Sequence, residues 1–152
     1  MDKKWIWLDM DGTIANLYSV KNWKEDLDNL NERPYRVAKS LYNDIDLLAI
    51  LGQLKIKKGY NIGIITWGSR DADEDFLKRI AETKKAWLNA RGYDMLLDVL
   101  LVVRYGTDKA SICKEYGCGI LVDDEKRNLD AWNLGKTINA QFSILSQLEA
   151  LL

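Results

Sequence analysis

Asp9-Met10-Asp11-Gly12-Thr13 places two carboxylates one residue apart, then a glycine and a hydroxyl. The run before it, Lys4-Trp5-Ile6-Trp7-Leu8, has the length and apolar character of a buried strand. In an open parallel sheet the carboxyl ends of strands are where ligands bind. Two acids crowded at such an end repel one another unless a cation or a shared proton relieves them. The pattern therefore predicts a magnesium site with a carboxylate nucleophile. An Asp-Gly turn accounts for Asp11-Gly12, but leaves a second acid on the strand end unexplained.

Three further places carry residues of the same kind. Thr66 closes the apolar run Ile62–Ile65 and is followed by Trp67-Gly68-Ser69-Arg70. A hydroxyl with free backbone N–H groups at a strand end makes an oxyanion cradle. Lys109 stands in Gly106-Thr107-Asp108-Lys109-Ala110, where Thr107 or Asp108 reads as a helix cap. A lysine in a first helical turn opposes the helix dipole, but one reaching over an acidic cluster could hold a phosphate oxygen. Asp123 and Asp124 follow Ile120-Leu121-Val122 and precede Glu125. A cap does not need three adjacent acids, whereas magnesium takes a few carboxylate oxygens together with water and phosphate. The chain has no histidine, which excludes His-metal sites, Ser-His and Cys-His pairs and phosphohistidine chemistry. Any general acid or base must be a carboxylate, Lys, Tyr or Cys.

These residues are far apart in sequence, so the fold has to gather them. Strand-like runs fall at 4–9, 61–66, 98–103, 119–123 and 136–139. Val37, Leu41, Ile45, Leu48 and Leu51 keep a helical period across 35–57, and Phe76, Leu77, Ile80, Ala81, Trp87 and Leu88 do so across 72–91. Shorter helices are expected at 108–116, 125–134 and 142–151. The alternation predicts an α/β fold: a Rossmann-like open parallel sheet of about five strands with helices on both faces. Such a sheet brings the two acid pairs, Thr66 and Lys109 to one edge. Residues 14–34 break the rhythm and are expected to form a small flap or cap over that edge. The only proline, Pro34, suits the first turn of the helix that follows.

With 152 residues, 47% apolar and 30% charged, the sequence reads as one soluble domain over 1–152. The net charge of −1 argues against a long nucleic-acid ligand or a membrane surface, and Lys55-Ile56-Lys57-Lys58 reads as the polar end of a helix. Cys113 and Cys118 make a poor zinc pattern and read as two small buried thiols flanking a helix end. Met1-Asp2-Lys3-Lys4 leads into a run too short for a signal peptide, and no stretch could span a bilayer, so a cytoplasmic location is expected. Trp5, Trp7, Trp87 and Trp132 sit in periodic elements and read as core. Trp67, Tyr18 and Trp23 are placed to stack on a flat ligand or to pack half-buried.

The order D-x-D-G-T, hydrophobics-Thr, Lys, hydrophobics-Asp-Asp, carried by Asp9–Thr13, Thr66, Lys109 and Asp123-Asp124, resembles the haloacid dehalogenase (HAD) superfamily of phosphatases over residues 5 to about 134. The resemblance implies a magnesium-dependent phosphomonoesterase in which Asp9 attacks phosphorus to form an aspartyl phosphate. Asp11 would protonate the leaving oxygen and then activate water, while Thr66 and Lys109 hold phosphoryl oxygens. It implies magnesium on Asp9, the Asp11 carbonyl and Asp124, with Asp123 acting from behind. Gly12, Thr13, Trp67, Gly68 and Arg70 are the expected substrate-binding residues.

Asp9-Met10-Asp11-Gly12 and Val122-Asp123-Asp124…Asn128 look most like the 5′(3′)-deoxyribonucleotidase branch, although Trp67-Gly68 stands where that branch has Ser-Pro. Arg70 with Lys84-Lys85-Ala86-Trp87-Leu88 is similar to polynucleotide 3′-phosphatase domains. The expected substrate is a small phosphate ester such as a (deoxy)nucleoside monophosphate, the alternatives being a polynucleotide end or a phosphoacceptor module without turnover. Either a monomer or a homodimer is compatible with the sequence.

Overall fold

Residues 4–152 are described by the computed structural model; Met1-Asp2-Lys3, part of the run weighed above as a leader, lie outside the described residues. The chain runs β1 (Trp5–Leu8), β2 (Ala15–Asn16), α1 (Trp23–Asp28), α2 (Arg33–Val37), β3 (Lys39–Ser40), α3 (Asp44–Lys58), β4 (Asn61–Trp67), α4 (Glu74–Ala90), β5 (Val99–Val103), α5 (Lys109–Cys113), β6 (Gly119–Asp123), α6 (Lys126–Ala131), β7 (Thr137–Asn139) and α7 (Ile144–Glu149). The five predicted strands form one parallel sheet in the order β5-β4-β1-β6-β7. Connections leave β1 toward β4 and β5 on one side, then return to β6 and β7 on the other. Asp9 thus ends the strand at the point where the strand order reverses, the place where open α/β sheets bind ligands.

Both faces of the sheet are covered, which is why β1 can be apolar throughout. Ile6 and Leu8 face Leu47, Leu51 and Leu54 of α3 and Ile144 and Leu148 of α7. Trp5 and Trp7 face the other way, against Ala110 and Cys113 of α5 and Trp132. The two indoles stack at 4.7 Å. Gly63 is the register partner of Trp7 in β4, and a Cβ there would meet Cζ3 of that indole at 2.5 Å. Trp5, Trp7, Trp87 and Trp132 are all buried, as their periodic placement predicts.

Two expectations are corrected. The helical period over 35–57 is divided between α2 and α3, with β3 between them. The break has a local cause: Asn43 caps α3 by accepting from Asp46 N–H, and Ser40 donates to both Asp44 oxygens, so helix starts only at Asp44. Cys113 is buried as expected, but Cys118 is exposed. Cys118 lies in the turn into β6, where its carbonyl accepts from Trp5 N–H and its side chain faces outward.

The segment after β1, which holds the expected 14–34 insert, leaves the sheet as an excursion whose base is the antiparallel pair β2–β3, closing at Ser40. Leu17, Leu27 and Tyr35 pack on Phe76 and Ile80 of α4. Arg79 of α4 donates to the Glu32 carboxylate (2.8 Å) and the Leu30 carbonyl (3.2 Å). The excursion is therefore seated on α4. No helix among the described residues is long and apolar enough to cross a membrane.

Candidate active site

A cleft of about 290 Å³ opens at the carboxyl edge of the sheet, between the excursion and the loops after β4, β5 and β6. Asp9, Asp11, Lys109, Asp123 and Asp124 all line it, from three separate regions of the sequence. Asp9 is held by its backbone, whose N–H donates to the Val122 carbonyl at 2.9 Å, so the carboxylate is fixed beside the end of β6. Lys109 is buried and donates to Asp9 Oδ1 (3.0 Å) and Asp123 Oδ2 (2.7 Å). Burial alone would lower the lysine's pKa, but the two carboxylates raise it further and win, so the ammonium stays charged.

Asp123 is completely buried and fully engaged. Its Oδ2 also accepts from Asn128, and its Oδ1 from Glu125 N–H. Among the described residues the Asp124 carboxylate has one long hydrogen-bond donor, the Thr13 hydroxyl at 3.5 Å. Carboxylate oxygens of Asp9, Asp123 and Asp124 lie within 4.8 Å of one another, an all-oxygen set able to hold a hard cation. Burial, and after it the neighbouring Asp9, push both Asp123 and Asp124 above the ordinary carboxylate range.

Asp11 stands apart from that group. Its Oδ2 accepts from Lys84 Nζ at 2.9 Å. Burial raises the Asp11 carboxyl above its usual value; the Lys84 ammonium opposes this and Asp9 adds to it. Thr66 is fully buried and does not line the cleft; its Oγ1 accepts from the same ammonium at 2.7 Å. Thr13, expected on the substrate side, is also buried, and its hydroxyl is given to Asp9 (3.2 Å) and Asp124. It braces the carboxylates from behind. Gly12 has φ +79°, and a Cβ there would collide with the Asp124 carboxylate and Tyr18. Gly12→Ala is therefore expected to destabilise by about 1–3 kcal/mol and to displace Asp124, read as a lower melting temperature with a weaker metal-induced rise.

Trp67, Gly68 and Arg70 do line the cleft. Trp67 packs against Tyr105 at 4.8 Å, its indole N–H bonded to the Thr107 carbonyl. Arg70 lies over the Tyr105 ring and Arg127 over Trp67. Opposite them the excursion presents Leu17, Tyr18, Trp23, Leu27 and Tyr35. Tyr105 carries no expectation from sequence, and Lys84 enters there only within the run similar to polynucleotide 3′-phosphatase domains. For Tyr105 no periodic signal existed. For Lys84 one did: it lies four residues after Ile80 and four before Leu88, inside the apolar stripe of α4.

No family model and no curated protein sequence matches this chain. Solved structures do. The D,D-heptose 1,7-bisphosphate phosphatase of Burkholderia thailandensis superposes with a TM-score of 0.51 at 18% identity, over 85% of this chain and 71% of that one. The D,D-heptose 1,7-bisphosphate phosphatase of B. bronchiseptica, solved with magnesium and phosphate, superposes with a TM-score of 0.53 at 15% identity, over 98% of this chain and 99% of that one. The likeness shows that the chain shares the α/β fold of these structures.

Proposed function

We propose that the chain is a magnesium-dependent phosphomonoester hydrolase working through an aspartyl phosphate on Asp9. One observation carries the reading: a buried carboxylate at the strand-order reversal, facing a cleft, bonded to a buried ammonium and with two further acids beside it. The similar fold bound to magnesium and phosphate supports it, as does the order of the motifs. Asp9 attacks phosphorus as the P–O ester bond breaks, and Asp11, whose carboxyl burial raises above its ordinary value, acts as the acid that gives a proton to the departing oxygen. Asp11 then takes a proton from water, which attacks phosphorus and releases inorganic phosphate from Asp9. Lys109 neutralises the charge gathering on the phosphoryl oxygens.

Magnesium would be held by Asp9 and Asp124, whose oxygens have few competing donors, while Asp123, with three protein donors, orients Lys109 and the helix behind it. When bound, the ion supplies positive charge that lets the acids and a dianionic phosphate share one cleft. Without it the raised acids bind protons more tightly folded than unfolded. Their contribution to stability is then present below the unfolded carboxylate pKa near 3.8 and is lost as pH rises through the folded values. Melting temperature in chelator should therefore fall from pH 5 to pH 8, and added magnesium should raise it more at pH 8. A magnesium response independent of pH would contradict this.

For the substrate we favour a small ester with a flat group, such as a nucleoside monophosphate. Its ring would lie between Trp67–Tyr105 and the excursion's Tyr18 and Trp23, which meet edge-to-face at 5.1 Å. Arg70 and Arg127, neither within salt-bridge distance of a carboxylate among the described residues, favour an anionic ligand at the same mouth, compatible with the end of a short oligonucleotide. The test is phosphate release from p-nitrophenyl phosphate, nucleoside monophosphates, sugar phosphates and 3′- and 5′-phosphorylated oligonucleotides, with and without magnesium. Preference for nucleoside monophosphates supports the substrate reading, and no release from any ester overturns the hydrolase reading.

A further inference from the structure

Lys84 is among the most completely buried side chains of the molecule, 1% exposed, on a helix face otherwise made of Phe76, Ile80, Trp87 and Leu88. An ammonium in such a place is costly unless every proton is matched. Here all three are: Nζ donates to Asp11 Oδ2 (2.9 Å), Thr66 Oγ1 (2.7 Å) and the Trp67 carbonyl (2.8 Å). A lysine has three donors and no acceptor, so nothing remains to bind a substrate directly. The ring of Tyr35, from the excursion, lies 4.5 Å from the ammonium, and the Tyr35 hydroxyl bonds Ser69 Oγ at 2.8 Å. Lys84 thus joins α4, the end of β4, the excursion and the second acid of the Asp9/Asp11 pair.

We infer that Lys84 is a positioning residue that holds the Asp11 carboxylate away from the Asp9/Asp123/Asp124 group and aims it, with Thr66, at the leaving-group side of the phosphoryl centre. Two features of the geometry carry this. The three acids with oxygens within 4.8 Å of one another do not include Asp11, although it is two residues from Asp9. Among the described residues its side-chain partner is Lys84, which substitutes for the cation as its counter-charge. In addition, Thr66 Oγ1 and the Trp67 carbonyl accept from the same ammonium, which pins it at the end of β4.

The inference rests on the hydrolase reading, and the experiment separates the two. Turnover of a series of phosphate esters running from p-nitrophenyl through phenyl to a simple alkyl phosphate is measured with magnesium. A nitrophenolate leaves without being protonated, whereas an alkoxide does not, so a misplaced acid shows as a steeper dependence on the leaving group. Lys84→Met is expected to lose about tenfold or more additional kcat on the alkyl ester relative to the nitrophenyl ester. In the Asp11→Asn background it should add no further loss on the alkyl ester. A uniform loss across the series, or losses that multiply in the double variant, would mean that Lys84 serves the fold alone. Should Lys84→Met not fold, the double variant, which leaves neither half of the buried pair alone, is compared with Asp11→Asn. Equal rates support the inference, and a further tenfold loss overturns it. Wild-type protein inert on every ester overturns the hydrolase reading, and this inference falls with it.

Discussion

Asp9→Asn is expected to lower phosphate release from p-nitrophenyl phosphate by about 10⁴-fold or more while leaving the fold intact. The substitution keeps the shape of the side chain and one oxygen able to accept from Lys109 or Thr13. It removes the only property the proposed reaction cannot replace, a carboxylate that can bond to phosphorus and leave again. The stability effect should run the other way. The Asp9 charge stands beside both Asp123 and Asp124, and each is pushed upward partly by it, after burial. Neutralising Asp9 relieves that repulsion, so in chelator the variant should melt no lower than wild type at pH 8. Wild-type protein quenched in acid during turnover should carry phosphate on Asp9, and the variant none. Full activity in Asp9→Asn would remove the nucleophile from the proposal.

The sheet and its active edge were legible because they rest on strong local signals. Trp5–Leu8, Ile62–Ile65 and Ile120–Val122 are apolar runs of strand length, and each ends at a chemically distinctive residue. In a parallel sheet those ends must meet at one edge, so one periodicity argument placed Asp9, Thr66, Lys109 and Asp123 together. What escaped was set by contacts between elements distant in sequence. Thr13 looked like a free hydroxyl because nothing local says that β6 brings Asp124 against it. The break at 38–43 follows from side-chain caps at Ser40 and Asn43 that oppose a continuing apolar period. Cys118 reads as buried by residue type, but its place in a turn is decided by the Trp5–Cys118 backbone bond. Lys84 is the instructive case. A lysine inside an apolar stripe is a local contradiction, and such contradictions collect at functional sites. Its meaning was hidden because its partners come from the ends of β1 and β4.

Lys109→Met should produce the second large effect, and on stability as well as rate. Among the described residues, Lys109 is the one ammonium that touches both Asp9 and Asp123. Methionine preserves much of the volume of the stem but leaves Asp9, Asp123 and Asp124 facing one another without that charge. Removing one partner of a buried pair costs about 3–5 kcal/mol because the remaining charge is left uncompensated. The loss should be largest at high pH: with the lysine gone, Asp123, already raised, holds its proton still more tightly in the folded protein, and this contribution disappears as pH rises above the ordinary carboxylate range. Magnesium would restore part of the stability by neutralising the same oxygens. It would not restore the rate, because a cation shared among carboxylates does not replace a donor aimed at the phosphoryl group. Turnover should remain down by about 10²–10³-fold at saturating magnesium. The pair of measurements separates two roles for one residue. Recovery of melting temperature without recovery of kcat places Lys109 at the phosphoryl oxygens, and recovery of both would reduce it to a counter-ion for the acids.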